Sequence, residues 1–129
     1  DGSFLYTVPQ TVIGFWFALE DASLENGCLW VLPGQHKSGL CSRFRRINGQ
    51  LQTETFPDAP RFDENDGIPL EVSAGTLVVL NGALPHYSEA NRSSKSRYAY
   101  TLHAISWAAD YPQDNWLQRG RDLPLRRLS

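Results

Sequence analysis

The stretch LNGALPHYSEANRSSKSRYAYTLH, residues 80–103, carries the pattern that decides the predicted fold. Two extended pieces begin within it, residues 83–88 and 96–105, and a polar turn separates them. This pattern is typical of an antiparallel β-hairpin. His86 and Arg97 lie about equally far from the turn centre, and directly opposed residues have Cβ atoms roughly 5 Å apart. The hairpin therefore predicts that one small ligand reaches both side chains.

The rest of the chain favours more short strands, bounded by Gly, Pro and Asn. Asn81–Gly82 is the strongest hairpin-turn signal in the sequence. Many short strands and little helical pattern predict an all-β fold, a sandwich or barrel that can enclose a pocket. The further strands are expected at residues 3–8, 11–19, 28–32, 68–72 and 76–80.

Length and composition indicate one globular domain spanning residues 1–129. Hydrophobic residues make up 41% of the chain, charged residues 20%, and the net charge is −2, which argues against a disordered tail and a nucleic-acid binder. No apolar run reaches the roughly 18 residues of a membrane-spanning helix. The chain has no methionine, so we expect a piece of a longer polypeptide.

Residues 34–67 form a long polar segment with weak periodicity, which predicts a surface insertion that frames the site. Its basic cluster, residues 43–46, is expected to be a solvated face. The tail, residues 111–129, is predicted to be irregular. Cys28 and Cys41 do not form a CxxC pair, so we expect free thiols.

Alternation along residues 96–105 assigns the side chains to two faces. One face is small and polar, which suits a pocket wall, and its guanidinium would bind a carboxylate in a planar, bidentate way. The other face is bulky, which suits packing. The pocket face holds Arg97, Ala99, Thr101 and His103, and the bulky face holds Tyr98, Tyr100 and Leu102.

Four blocks of sequence resemble one known family, in order and in spacing. They are DGSFLYTVP, GFWFALEDASLENGCLWVLPGQHKSG, GTLVVLNGALPHYSEANRSSKSRYAYTLH and DNWLQ, and they cover nearly the whole chain. These blocks are similar to the phytanoyl-CoA dioxygenase (PhyH) family of Fe(II)/2-oxoglutarate-dependent oxygenases. The resemblance implies a double-stranded β-helix, or cupin-like jelly roll, of which this chain is a C-terminal portion.

The resemblance also implies a site. Asp1 matches the aspartate of the family's His-x-Asp pair of iron ligands, so the partnering histidine would stand two residues before Asp1. His86 matches the distal histidine ligand. Arg97, with Ser88, matches the residues that hold the far carboxylate of 2-oxoglutarate, and Trp16 matches a tryptophan that lines this cofactor. His103 is expected to lie outside the ligand set.

The implied activity is decarboxylation of 2-oxoglutarate to succinate, coupled to hydroxylation of a C–H bond in a small organic or acyl substrate by molecular oxygen. The family name suggests an acyl-CoA. Two alternatives stay open: a catalytically silent jelly-roll module that keeps the pocket, and a cupin-type metalloenzyme without 2-oxoglutarate. No nucleic-acid or membrane partner is expected, oligomeric state is not predicted, and the cytoplasm is the default because RRLS at the end is not an SKL-type signal.

Overall fold

The structure is a computed structural model that describes residues 1–126 of the chain. Residues 127–129 lie outside this range, and so does that end of the tail predicted to be irregular. Among the described residues, no helix is long and apolar enough to cross a membrane. The strands are β1 (Ile13–Ala18), β2 (Leu29–Val31), β3 (Ser42–Ile47), β4 (Gln50–Thr55), β5 (Ile68–Leu70), β6 (Leu77–Asn81), β7 (His86–Ser88) and β8 (Ala99–Ala104), and the 3-10 helices are Gln35–Ser38 and Glu64–Asp66.

Two antiparallel three-stranded sheets form the body of the fold. One has the order β6-β1-β8 and the other β5-β2-β7, so the chain passes repeatedly from one sheet to the other. β3 and β4 pair with each other as a separate hairpin. Pro69 in β5 is compatible with the sheet because β5 is an edge strand, where a missing N–H costs no ladder bond. The architecture confirms the predicted all-β jelly-roll class.

The core lies between the two sheets. Trp16 and Ala18 from β1 and Leu80 from β6 pack with Leu29 and Val31 from β2. These apolar side chains leave water together, at roughly 25 cal/mol per Å² of buried apolar surface. The inner faces of β1, β6 and β8 are thereby fixed, and they continue past the core towards the site.

The predicted hairpin of residues 83–88 and 96–105 is wrong. β7 pairs with β2, while β8 pairs with β1 in the opposite sheet. Asn81–Gly82 makes no hairpin turn either, since Gly82 is a point of close approach: its N–H donates to the Val12 carbonyl over 2.7 Å, and a Cβ there would lie 2.5 Å from the Val12 Cβ. His86 and Arg97 thus reach the pocket from different sheets.

The strand predicted at residues 3–8 is also wrong. The N–H groups of Phe4 and Leu5 both donate to the Asp1 carbonyl over 3.0 Å, which makes a turn directly after Asp1. Val8 forms one isolated bridge to Asp110. Because the first turn uses these backbone donors locally, they are not free for a ladder. The other predicted strands form with narrower bounds, except β6, which keeps its length and is shifted by one residue.

The polar segment 34–67 holds the β3–β4 hairpin, which the sequence reasoning missed. Its turn is Asn48–Gly49, with φ of 50° and 80°, the left-handed conformation that favours Asn and Gly in tight hairpins. Whether the segment frames a substrate site remains a prediction. Its β-structure was not predicted from the weak periodicity of the segment.

The basic cluster at residues 43–46 is not simply a solvated face. Arg43 is 9% exposed and donates to the carboxylate of Asp114 and, over 3.0 Å, to the amide oxygen of Asn115. The Asn115 amide donates to the carbonyl of Tyr6 over 2.8 Å, and the guanidinium of Arg43 lies 4.4 Å from the Tyr6 ring centre. Arg45 donates to Asp114 over 2.7 Å. This cluster ties β3 to the tail and to the segment after Asp1.

The bulky face of β8 is outside the core, contrary to expectation. Tyr98, Tyr100 and Leu102 are 67%, 55% and 46% exposed. Alternation along a strand separates two faces but does not tell which of them is covered. The inner face is the small, polar one, as the pocket-wall prediction requires. Cys28 and Cys41 are free thiols, as predicted.

Candidate metal and 2-oxoacid site

His86 begins β7 and faces the inside of the fold, because it pairs with the buried Val31 of β2. Its Nδ1 lies 2.9 Å from the carbonyl oxygen of Leu84. A carbonyl only accepts, so Nδ1 carries the proton and Nε2 presents its lone pair. Burial lowers the pKa of His86, which favours the neutral ring. This is the tautomer that binds a metal through Nε2.

Asp1 is held in place by its backbone. The N–H of Gly2 donates to the carbonyl of Gly82 over 2.7 Å, at the end of β6, and the turn described above follows. The carboxylate is largely buried, with its side chain 18% exposed. Its Oδ1 lies 3.7 Å from the Nε2 of His86 and 3.2 Å from the Nε2 of His103.

The Asp1–His86 contact fits a divalent metal ion. The imidazole lone pair and the carboxylate oxygen face each other with no proton between them, and a cation in that gap would satisfy both. Among residues 1–126, no group of three or more His, Cys, Asp or Glu side chains has an arrangement that could hold a metal. A metal held between Asp1 and His86 would therefore need a further ligand.

Arg97 lies just before β8, with its guanidinium 5.8 Å from the ring centre of Trp16. Within the described part of the chain, no carboxylate is within ion-pair distance of it. The flanking backbone is fixed, because the Glu20 carboxylate accepts from the hydroxyl of Ser96 over 2.9 Å and from the N–H of Tyr98 over 2.8 Å. A half-buried guanidinium held this way is prepared for an external anion.

The structure brings most of the predicted site residues to one interior face. Trp16 is 7% exposed and belongs both to the core and to the wall beneath Arg97. Ser88 pairs with Leu29 at the exposed end of β7, and in residues 1–126 its hydroxyl makes no hydrogen bond. Ser88 is therefore open to solvent, and its part in binding stays a prediction.

The sequence did not predict which residues lie beside the Asp1 carboxylate. Gly14 pairs with His103 across β1 and β8, and the Asp1 carboxylate lies against both. His103 had been assigned to the pocket face and outside the ligand set, without a partner. The available signal was the alternation Gly14–Trp16 on β1, which places the glycine on the same inner face.

Comparison with known proteins identifies the family. The model of the phytanoyl-CoA dioxygenase (PhyH) family matches residues 1–99. The chain belongs to this family. Membership confirms the resemblance found in the sequence, and the family is one of Fe(II)- and 2-oxoglutarate-dependent oxygenases.

Relatives with similar sequences carry the same family name. A phytanoyl-CoA dioxygenase of Arabidopsis thaliana is 46% identical over 123 residues, covering 94% of this chain and 42% of the relative. The phytanoyl-CoA dioxygenase domain-containing protein 1 of Rattus norvegicus is 44% identical over 132 residues, covering 99% of this chain and 45% of the relative. The chain thus spans less than half the length of these relatives.

A solved structure supports the fold assignment. The crystal structure of EvdO2 from Micromonospora carbonacea var. aurantiaca complexed with 2-oxoglutarate matches 89% of this chain and 46% of its own, with a TM-score of 0.62 and 26% identity.

Proposed function

We propose that the protein is an Fe(II)- and 2-oxoglutarate-dependent dioxygenase that hydroxylates a C–H bond of a small organic or acyl substrate. The observation that carries the proposal is an interior face on which the Asp1 carboxylate meets the His86 lone pair, while the Arg97 guanidinium has no carboxylate partner among residues 1–126. A metal ion would bind the carboxylate and the imidazole, and an acid with a second, distant carboxylate would bind the guanidinium.

The spacing of these groups suits a five-carbon diacid. Gly14, beside the Asp1 carboxylate, and Trp16, beneath Arg97, are two residues apart on β1. Strands rise about 3.3 Å per residue, so the two positions are separated by roughly 7 Å. 2-Oxoglutarate chelating a metal next to Asp1 would reach Arg97 with its far carboxylate.

Each side chain has a stated role in this proposal. Asp1 and His86 hold the iron, together with the histidine that the family resemblance places two residues before Asp1. Arg97 binds the distal carboxylate of 2-oxoglutarate, with Ser88 as a second donor. Trp16 forms the wall on which the cofactor lies and keeps water from that side. When bound, the iron and 2-oxoglutarate supply the oxidising chemistry, and the protein orients the reactants.

The substrate would enter beside the segment 34–67. An open pocket of about 420 Å³ lies between this segment and Asn81, the last residue of β6. A volume of this size suits a small molecule, since ligand pockets run from about 300 to 1,000 Å³. The lining is mixed, so an acyl-CoA is one substrate class among several. Its lining residues are Tyr6, Gln10, His36, Lys37, Gly39, Leu40, Phe56, Asn81 and Ala83.

Turnover of 2-oxoglutarate tests the proposal directly. The full-length polypeptide that carries this sequence is incubated with Fe(II), ascorbate, oxygen and 2-oxoglutarate, and succinate is measured. We expect succinate formation that requires Fe(II) and is lost in Asp1→Ala. Succinate at the rate of a protein-free control, at every substrate tried, would favour the silent binding module.

A further inference from the structure

We propose that Gly14 and His103 form a seat for the Asp1 carboxylate, in which His103 is a positioning residue that fixes the oxygen presented towards His86. The inference deepens the proposed function and rests on it, because the seat acts through the metal that Asp1 would bind. Neither residue is part of the expected ligand set.

The first part of the seat is Gly14 on β1, which has no side chain. Gly14 faces inward, in line with Trp16, where a strand would ordinarily carry a packing side chain. A Cβ at Gly14 would lie 2.5 Å from Oδ2 of Asp1 and 3.7 Å from Cδ2 of His103. The carboxylate therefore occupies the space that any other residue would fill. Glycine inside a strand weakens the strand and commonly marks a close approach of this kind.

The second part of the seat is the imidazole of His103. Its Nε2 lies 3.2 Å from Oδ1 of Asp1, nearer than the Nε2 of His86 at 3.7 Å. The contact is within ion-pair distance and does not have hydrogen-bond geometry in this structure. A small rotation of the neutral imidazole would let Nε2 donate to one of the two lone-pair sites of Oδ1 and leave the other for a metal. His86 cannot act in this way, because its proton is already held at Nδ1 by the Leu84 carbonyl.

The two parts contact different oxygens of the carboxylate. Gly14 limits where Oδ2 can lie, and His103 holds Oδ1, so rotation of the carboxylate about its Cβ–Cγ bond is restricted. Partners that orient a ligating group in this way typically change metal affinity by about 10- to 100-fold when they are removed. A seat of this kind predicts a loss of metal affinity without loss of the ligand itself.

Titration of the full-length polypeptide with cobalt(II) tests the seat. Binding is measured by calorimetry and by the visible d–d absorption of the bound ion. We expect His103→Leu to weaken cobalt binding by about 10- to 100-fold. His103→Gln should recover most of the affinity, because its amide keeps an N–H donor near the same place. Gly14→Ala should weaken binding, whereas Gly120→Ala, where a Cβ meets open space, should not.

The outcomes separate the seat from the metal site itself. Unchanged cobalt affinity in both His103→Leu and Gly14→Ala would overturn the seat. A loss in His103→Leu as complete as that in Asp1→Ala, with no recovery in His103→Gln, would make His103 a ligand and would overturn the positioning role. If Asp1→Ala binds cobalt like the wild type, the proposed function fails instead. Thermal unfolding of the metal-free variants shows whether each one folds. If His103→Leu misfolds, the cobalt affinities of Gly14→Ala and His103→Gln test the seat.

Discussion

The molecule contains two clusters of charged side chains that differ in whether the charges are paired within the chain. In the cluster that joins β3 to the tail, Arg43 and Arg45 both donate to Asp114, and Arg45 also donates to Glu54 over 2.8 Å. In the interior site, Arg97 has no carboxylate within ion-pair distance among residues 1–126, and the Asp1 carboxylate faces an imidazole lone pair.

The difference between the clusters separates charges that hold the fold from charges kept for a ligand. A buried charge without a partner is costly, so evolution keeps it only where something else supplies the partner. Arg43 is paired within the chain, whereas Arg97 is held in position by its neighbours and left open. Substitutions in one cluster should therefore change stability, and those in the other should change ligand affinity.

His86→Ala should give the largest effect and the sharpest form of the comparison. Removing a metal ligand should lower metal affinity by more than the roughly 10- to 100-fold typical of supporting residues. The free energy of unfolding of the metal-free protein should change much less, because the neutral imidazole forms no salt bridge with Asp1 and the fold loses mainly its hydrogen bond to the Leu84 carbonyl. Calorimetric titration with cobalt(II) measures the first quantity, and urea unfolding measures the second. Tyr87→Phe, on the outward side of β7, is the matched control. If His86→Ala kept its metal affinity, the assignment of the interior cluster to ligand binding would be contradicted.

Arg97→Ala should come next, with its effect on 2-oxoglutarate alone. A hydrogen-bonded pair with a charged group contributes about 1.5–3 kcal/mol, so affinity for 2-oxoglutarate should fall by roughly 10- to 150-fold. Arg97→Lys should recover only part of it, because an ammonium lacks the planar fork. Titration of 2-oxoglutarate into the metal-loaded protein measures this, and Arg92→Ala is the control arginine. If Arg97→Ala and Arg92→Ala lost the same 2-oxoglutarate affinity, Arg97 would have no specific role.

Asp114→Asn tests the paired cluster, and its effect should be on stability. Burial tends to raise the pKa of Asp114, but hydrogen bonds from Arg45 and Arg43 outweigh burial and hold that pKa below its ordinary value of 3.8. The carboxylate is partly exposed, so we expect a loss of only about 1–2 kcal/mol at neutral pH. Urea unfolding measures the loss.

The pH dependence of that loss has a defined sign. A carboxyl with a lowered pKa in the folded state stabilises the protein fully above its ordinary pKa, and the contribution disappears as the pH falls through the lowered folded value. The stability difference between the wild type and Asp114→Asn should therefore be constant above about pH 5 and shrink on acidification below it. A difference that grows on acidification would contradict the pairing.

Ser88→Ala should have the smallest effect. A neutral hydrogen bond contributes about 0.5–1.5 kcal/mol, so affinity for 2-oxoglutarate should fall by roughly 2- to 10-fold. The hydroxyl makes no hydrogen bond in the described part of the chain, so stability should not change. The 2-oxoglutarate titration used for Arg97→Ala measures the effect. An increase in affinity would remove Ser88 from the site.

The sequence predicted strand positions better than strand partners. Periodicity and turn residues located β1, β2 and β5 to β8, because those signals are local. Pairing is not local, and two Asn-Gly pairs show why. Asn48–Gly49 is a hairpin turn, whereas Asn81–Gly82 carries the chain between sheets, with Gly82 against Val12. The same dipeptide serves both, and only the packing around it decides.

The site was predictable where it depends on spacing within the family blocks and unpredictable where it depends on contact. Asp1 lies 3.7 Å from His86, and Arg97 lies beside Trp16, although the route through a single hairpin was wrong; the roles of these residues stay predictions. The approach of His103 to Asp1 needed the register between β1 and β8, which no local pattern fixes. The burial of Arg43 required the tail as a partner, about seventy residues away along the chain.

Anaerobic titration of the full-length polypeptide with Fe(II) and 2-oxoglutarate tests the central claim most directly. Chelation of iron by the 2-oxoacid in the site produces a visible metal-to-ligand charge-transfer band. We predict a band that requires both components, saturates at one equivalent of each, and is lost in His86→Ala. Absence of the band at saturating Fe(II) and 2-oxoglutarate, in a folded protein, would contradict the assignment of this interior face as an iron and 2-oxoglutarate site.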